Sequence, residues 1–338
     1  MDRALVTGGT GFTGAHIANA LAAAGFRVRT LDVNPPSAEE AREHDFVLAD
    51  TRDRAALRKA VSGCSVVVEN AALVPVTRAS YEELRSVNVG GCLATLDAAA
   101  EENAYVVRIS SSAVYGVPHT QPAPPDAPLA AFDPYGRTKA EAERLMAERR
   151  RGGLRVASLR PRTLLGPGRL GLMEVIFTRV RAGKRVPIFG RGANRSQLCD
   201  VEDLCSAVLA AIERRANGDY NVGAGEYGTV REDIEDLIRH AGTGARVQPL
   251  PRALIMAVLK PLALVGRSPF SEWHWGSAWV DFELDLSRTT EELGWVPRRS
   301  NAQALANAYD DFVRRAGAAG PSAHRRPLSG TLARLLRG

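Results

Sequence analysis

Eight residues near the start of the chain constrain its fold more than any other stretch. Ala4-Leu5-Val6 is a short apolar strand pattern, and Thr7-Gly8-Gly9-Thr10-Gly11-Phe12-Thr13-Gly14 follows it with glycines three apart at Gly8, Gly11 and Gly14. In such a turn the first glycine permits a tight bend, the second lets backbone approach a pyrophosphate, and the third brings helix and strand into close contact. The helix that opens there carries small residues, Ala18, Ala22 and Ala23, suited to packing on a sheet, and Gly25 ends it. A bare glycine pattern says little. Here it stands at the first strand-to-helix junction and is answered by Asp32, 18 residues after Gly14, at the end of the next strand.

Strand patterns recur at 27–32, 46–50, 65–68, 105–110 and 154–159, with helix patterns between them at 53–61, 80–101 and 134–150. Alternation of this kind predicts an α/β fold, a parallel sheet covered on both faces. After Pro161 the pattern breaks up around Gly166-Pro167-Gly168 and Gly190-Arg191-Gly192, with helices at 171–183, 203–215, 229–242 and 301–315 and a strand at 220–223. The expected organisation is a dinucleotide-binding domain from 1–163 and 200–223 and a smaller substrate domain from 164–199 and 224–316. Residues 317–338 are expected to form a basic, flexible tail.

The formal charge of +6 and pI near 9.4 raise the question of nucleic acid. The tail, with Arg325, Arg326, Arg334 and Arg337 and no acidic residue, holds +4 of it, so no basic groove is expected on the folded body. The longest apolar stretch, 253–265, is interrupted by Lys260 and Pro261 and is too short to span a bilayer. The strand pattern begins at once, which predicts no signal peptide and a cytoplasmic protein. Cys64, Cys92, Cys199 and Cys205 lack metal-ligand spacing and are expected to be buried thiols, with no metal bound.

Asp32 can accept hydrogen bonds from ribose hydroxyls and would repel a 2′-phosphate, and Val33, Asn34 and Pro35 supply no arginine to offset it. NAD is therefore favoured over NADP, unless Asp32 only caps a strand. Asp50, at the end of the third strand, either reaches the adenine or is an ordinary acidic strand end. Tyr135 and Lys139 stand four residues apart, on one face of a helix. A nearby ammonium favours the phenolate, so Tyr135 can take a proton from a substrate hydroxyl, while Ser111 at the end of the fifth strand bonds the same oxygen.

With these motifs, and with Asn70-Ala71-Ala72, Asn88-Val89-Gly90-Gly91, Ser110 to Gly116, Arg160-Pro161, Val201 to Leu204, Tyr220 to Gly223 and Glu292 to Pro297, the sequence resembles the extended short-chain dehydrogenase/reductase family. This is also called the NAD-dependent epimerase/dehydratase family. The resemblance spans about residues 3–315. It implies a Rossmann-type doubly wound sheet with a smaller C-terminal substrate domain, NAD as cofactor, and a homodimer built on helices that include the Tyr135 helix. Carried over by position, Ser111, Tyr135 and Lys139 are the catalytic set. The cofactor set is Gly8, Gly11, Phe12, Thr13, Gly14, Asp32, Asp50, Thr51, Ala71, Ala72, Asn88, Tyr135, Lys139 and Pro161, with Asn88 equally readable as a helix-start cap.

Relatives that dehydrate sugar nucleotides carry Asp-Glu directly after the catalytic Ser or Thr. Ser112-Ala113 here predicts no 4,6-dehydratase activity. The substrate set carried over is Ser112, Arg162, Thr163 and Arg195, with Thr163 where sugar-nucleotide enzymes have Asn; Arg162, Arg191 and Arg195 either bind an anion or are solvated loop residues. The aromatic and leucine-rich stretch 251–282 either lines a lipophilic pocket or is ordinary core. The resemblance implies hydride chemistry on a secondary hydroxyl, first as a nucleotide-sugar 4-epimerase-type enzyme. A 3β-hydroxysteroid-dehydrogenase-like or other secondary-alcohol dehydrogenase is the alternative, and a non-catalytic NAD-binding protein is the reading from another class.

Overall fold

In the computed structural model, the residues described are 2–38, 40–74, 79–168, 173–253, 255, 257 and 278–317. The elements run β1 (Arg3–Thr7), α1 (Phe12–Ala23), β2 (Arg27–Asp32), α2 (Glu40–Glu43), β3 (Asp45–Leu48), α3 (Arg54–Val61), β4 (Val66–Glu69), α4 (Tyr81–Arg85) and α5 (Cys92–Glu101). There follow β5 (Tyr105–Ile109), α6 (Pro134–Arg151), β6 (Val156–Pro161), β7 (Thr163–Leu165), α7 (Met173–Arg181), β8 (Arg185–Phe189), β9 (Leu198–Asp200) and α8 (Val201–Arg214). The last are β10 (Asp219–Val222), α9 (Val230–Ala241), β11 (Arg246–Leu250), α10 (Ser287–Leu293) and α11 (Asn301–Gly317).

The chain divides into two compact units. Unit 1 takes residues within 1–164, 197–225 and 282–299, and unit 2 takes the described residues of 165–196, 226–281 and 300–338. Unit 1 is built on a seven-stranded sheet in the order β10-β6-β5-β4-β1-β2-β3, every pairing parallel. Alternate residues of its strands go to opposite faces, as strand geometry requires. Ala4, Val6, Val66 and Val68 pack with α1 and α8, whereas Leu5 and Val67 pack with α3, α5 and α6. Each fully buried Leu or Val contributes about 1.5–3 kcal/mol relative to exposure, so the two covered faces make this sheet the core of unit 1. All four cysteines are buried and free.

Two expectations are corrected. The stretch 282–299, assigned by pattern to the substrate domain, belongs to unit 1. Leu293 and Trp295 bury against the α1 and α8 side of the sheet, and the Trp295 indole donates to Ser206 Oγ at 2.8 Å. Asn221 of β10 fastens the same stretch, donating to Asp285 O at 3.1 Å while its own carbonyl accepts from Thr289 Oγ1 at 2.7 Å. The single helix expected over 80–101 is instead α4, a π-helical stretch over Ser86–Gly91, and α5. Wider turns of this kind re-aim side chains inside a helix, and here the stretch contains Asn88.

In unit 2, β8 and β11 pair in parallel from Arg185 opposite Arg246 to Phe189 opposite Leu250. Phe177 of α7 packs edge-on against Tyr309 of α11, with ring centroids 5.7 Å apart. A capping box starts α9, with Thr229 and Glu232 each satisfying the other's backbone N–H. No helix among the described residues is long and apolar enough to cross a membrane. The tail beyond residue 317 and most of the aromatic stretch, including Leu254, Met256, Trp273 and Trp275, lie outside the described residues.

Candidate active site

In this strand order β1 lies between β4 and β2, so the chain reverses direction of build at β1 and β4, where the carboxyl ends of such sheets form a crevice. The glycine turn leaves β1 at that point. A Cβ on Gly14 would stand 2.0 Å from Gly8 O, so only glycine lets α1 begin this close to the turn. Thr7 ties the turn to the loop after β4: its Oγ1 accepts from the backbone N–H groups of Asn70 at 3.0 Å and Ala71 at 3.1 Å. Asn70 answers with its side-chain amide, donating to Thr7 O and Gly8 O. Phe12 and Thr13 are half-buried in the first turn of α1, and the Phe12 ring meets His16 edge-on at 5.1 Å.

Asp32 is nine-tenths buried at the end of β2. One carboxylate oxygen accepts from Thr10 N at 3.2 Å, and the other accepts from Asn34 N at 3.0 Å. The second strand end is thereby fixed to the glycine turn. Asp50 is held differently: Arg52 Nε lies 2.9 Å from its Oδ1, and this half-exposed ion pair keeps the carboxyl below the usual range through the Arg52 hydrogen bond. Thr51 beside it is buried, as is Pro161 at the end of β6.

Tyr135 is the second residue of α6 and is half-buried. Asp133 caps the helix, its Oδ1 accepting from Gly136 N at 3.1 Å. The first turn of α6 lies directly on the 3-10 turn Ser112–Tyr115, since a Cβ on Gly136 would come within 2.8 Å of Ala113 O. Ser111 starts that turn, with its Oγ accepting from Ala113 N at 3.2 Å. One helical turn after Tyr135, the Lys139 ammonium is buried and donates to Ile109 O at 2.9 Å. Burial first, and then the Arg108 guanidinium, push the Lys139 pKa down to about 8. Thus α6 and the end of β5 bring Ser111, Tyr135 and Lys139 to one place in unit 1.

Asn88 joins this cluster to the loop after β4. Its Oδ1 accepts from Leu73 N at 2.8 Å, and its Nδ2 donates to Leu73 O at 3.1 Å and to Thr138 Oγ1 at 3.0 Å. Thr138 in turn donates to Tyr135 O at 2.8 Å. Asn88 is therefore not a helix-start cap. Thr7 and Asn70 stand in the quoted motifs without a role of their own, and Thr138 stands unmarked between Tyr135 and Lys139, because what each does depends on whom it bonds across 50 residues or more.

Of the expected substrate residues, Ser112, Arg162 and Thr163 belong to unit 1 and Arg195 to unit 2. Ser112 is buried in the 3-10 turn, and Thr163 is exposed. Arg162 is buried, stacked over the Phe282 ring at 4.0 Å and donating to Thr163 Oγ1 at 3.0 Å. Burial pushes the Arg162 guanidinium down, to about 9. Arg195 is an exposed residue of unit 2, its guanidinium 4.9 Å over the Tyr227 ring.

A profile of the NAD dependent epimerase/dehydratase family matches residues 4–223. The chain is 36% identical to the uncharacterized protein y4nG of Sinorhizobium fredii over 98% of its own length and 85% of that protein. It is 30% identical to a dTDP-glucose 4,6-dehydratase of Streptomyces niveus, over 91% of this chain and 92% of the relative. A solved UDP-glucose-4-epimerase from Stenotrophomonas maltophila, with bound NAD and formylated UDP-arabinopyranose, superposes with a TM-score of 0.79 at 25% identity, over 94% of this chain and all of that one. The residues present fit a dinucleotide: Gly14 leaves no room for a side chain at the turn, and the carboxylate of Asp32 ends the next strand. The chain belongs to the NAD dependent epimerase/dehydratase family, whose cofactor is NAD.

Proposed function

We propose that this chain is an oxidoreductase/epimerase that acts on a secondary hydroxyl through a keto intermediate, as a nucleotide-sugar 4-epimerase-type enzyme, with Ser111, Tyr135 and Lys139 as its catalytic groups. The observation that carries this reading is the bond from Lys139 Nζ to Ile109 O, which fastens the helix bearing Tyr135 to the strand end bearing Ser111. NAD, when bound, supplies an acceptor and donor of hydride. The Tyr135 phenolate takes the proton of the substrate hydroxyl and, as the phenol, returns it. The Lys139 ammonium favours the phenolate form of Tyr135 that takes this proton, and Ser111 Oγ, already fixed by Ala113 N, orients the substrate oxygen.

The glycine turn, Asp32 and the backbone around Ala71 and Ala72 hold the cofactor in this reading, and Asn88 sets the distance between that loop and Tyr135. Dehydration is not part of the proposed activity. Ser112 and Ala113, which follow Ser111, are buried and carry no acid, and Glu143 further along α6 is engaged by Arg160, Ser110 and Ser158. The likeness to an enzyme solved with formylated UDP-arabinopyranose supports a nucleotide sugar as substrate, with Arg162 and Thr163 near the end of β6 as contacts. The reading also carries a homodimer whose interface includes α6, working in the cytoplasm; sedimentation of the purified protein tests the dimer.

The direct test is to denature the purified protein, identify the dinucleotide released, and then assay nucleotide sugars for interconversion of C4 epimers. Near-stoichiometric NAD and epimer exchange without net NADH are expected. Tyr135→Phe loses about a hundredfold or more of this activity and keeps its dinucleotide. Accumulation of NADH with a free alcohol would instead make the protein a secondary-alcohol dehydrogenase. Formation of a 4-keto-6-deoxy sugar would overturn the exclusion of dehydration.

A further inference from the structure

Behind Lys139 lies a set of charges that no motif drew attention to. Glu69 ends β4 and Arg108 lies directly opposite it on β5. Both are buried, and Arg108 Nε stands 3.1 Å from Glu69 Oε2 and 3.2 Å from Cys92 Sγ on α5. Glu143, one turn beyond Lys139 on α6, has its Oε1 3.9 Å from Arg108 Nη1. The same carboxylate takes Nε of Arg160 on β6 at 3.0 Å, and Arg160 also donates to the Tyr115 hydroxyl at 2.8 Å. Asp219 of β10 reaches Arg160 at 3.1 Å but is shared with Arg150 at 2.9 Å.

In this buried set the carboxylates of Glu69 and Glu143 balance the guanidiniums of Arg108 and Arg160. A protonated Lys139 is the charge left over. Neither Nη of Arg108 has a hydrogen-bond acceptor among the described residues, so its charge is answered mainly by ion pairing with Glu69 and Glu143. Charges this close act strongly where water is excluded.

We propose that Arg108, anchored by Glu69, is a positioning residue that acts through Lys139: its buried guanidinium disfavours the ammonium form of Lys139, and the Glu69 carboxylate limits that effect. Arg108 sits next to Ile109, whose carbonyl receives the Lys139 proton donor, so the pair bears on Lys139 from the sheet side while Glu143 bears on it from α6. Cys92 faces the same set from α5, with its thiol pushed up to about 12 by burial, and stays neutral. Burial first, and then Arg108, hold the Lys139 pKa at about 8, just above neutral pH. The consequence for catalysis rests on the proposed role of Lys139; the electrostatic claim does not.

The chain has only four lysines, Lys59, Lys139, Lys184 and Lys260, so each can be followed in protein labelled with 13C at lysine Cε. NMR titration of the full-length protein reads the Lys139 midpoint without any substrate, and near-UV circular dichroism checks that each variant is folded. Lys139 is expected to titrate below the other three lysines. Arg108→Gln raises its midpoint by about one pH unit or more, Glu69→Gln lowers it, and the double variant, which leaves neither ion unpaired, falls between the two. An unchanged Lys139 midpoint in either folded single variant, or an upward move in Glu69→Gln, overturns the proposal. If instead the midpoints move as stated but the pH profile of activity does not follow them, the proposal stands and the assignment of Lys139 to catalysis fails.

Discussion

Asn88 Nδ2 donates to Thr138 Oγ1 at 3.0 Å, and through that bond the loop after β4 is coupled to the helix that carries Tyr135. Asn88 also holds Leu73 by both its N–H and its carbonyl. Asn88→Ala leaves those two backbone groups without their partner inside unit 1, at a cost of about 1–3 kcal/mol for each buried group that water does not reach. The expected outcome is a lower midpoint in urea denaturation together with weaker NAD binding, both measured on the same preparation. Unchanged NAD affinity in a destabilised variant would show that Asn88 supports the fold alone.

At the glycine turn, Gly14→Ala places a methyl 2.0 Å from Gly8 O, a backbone atom that cannot swing aside. The first turn of α1 must shift, and NAD affinity should fall by at least about tenfold, since a displacement of the helix start removes donors aimed at the phosphates. Gly90→Ala is the control, because its Cβ meets nothing within 4 Å. Isothermal titration with NAD separates the two variants, and equal affinities would remove the turn from the cofactor site.

Asp32 joins the end of β2 to Thr10 N, and in the proposed cofactor site its carboxylate is the group that opposes a 2′-phosphate. Asp32→Ala should weaken NADH binding about ten- to a hundredfold, the worth of hydrogen bonds to a charged group, and should abolish discrimination against NADPH. Fluorescence titrations with the two reduced dinucleotides give the ratio. A variant that still prefers NADH as strongly as the parent would assign the preference elsewhere.

Lys139 supplies a prediction about stability and pH. Its pKa in the folded chain, about 8, lies below its ordinary 10.5, with burial as the first cause and Arg108 as the second. Between those values the unfolded chain binds more protons than the folded one, so stability rises with pH in that window. The cost of burying the ammonium is therefore present in full below pH 8 and is removed as the pH climbs toward 10.5. Relative to Lys139→Met, the parent should gain roughly 3 kcal/mol from pH 7.5 to 10.5 in urea denaturation. A constant difference over that range would show that Lys139 titrates normally.

The β1–turn–α1 unit, the alternation of strands and helices, and the four-residue step from Tyr135 to Lys139 were all legible in the sequence. Each depends on neighbours within one or two turns of chain: glycine where the backbone must bend or close up, apolar residues at strand or helix period, two side chains on one helical face. Asp32 was legible for the same reason, through its fixed distance from Gly14. Tertiary structure alone decided which groups meet across the sheet. It set Glu69 opposite Arg108, turned Asn88 onto Leu73 and Thr138 through a wider helical turn, and drew 282–299 into unit 1 by burying Trp295. A buried charge or amide is tolerated only where a partner stands, and the partner is chosen by strand order and register rather than by sequence distance. The local pattern named Lys139, and the packing around it set its charge.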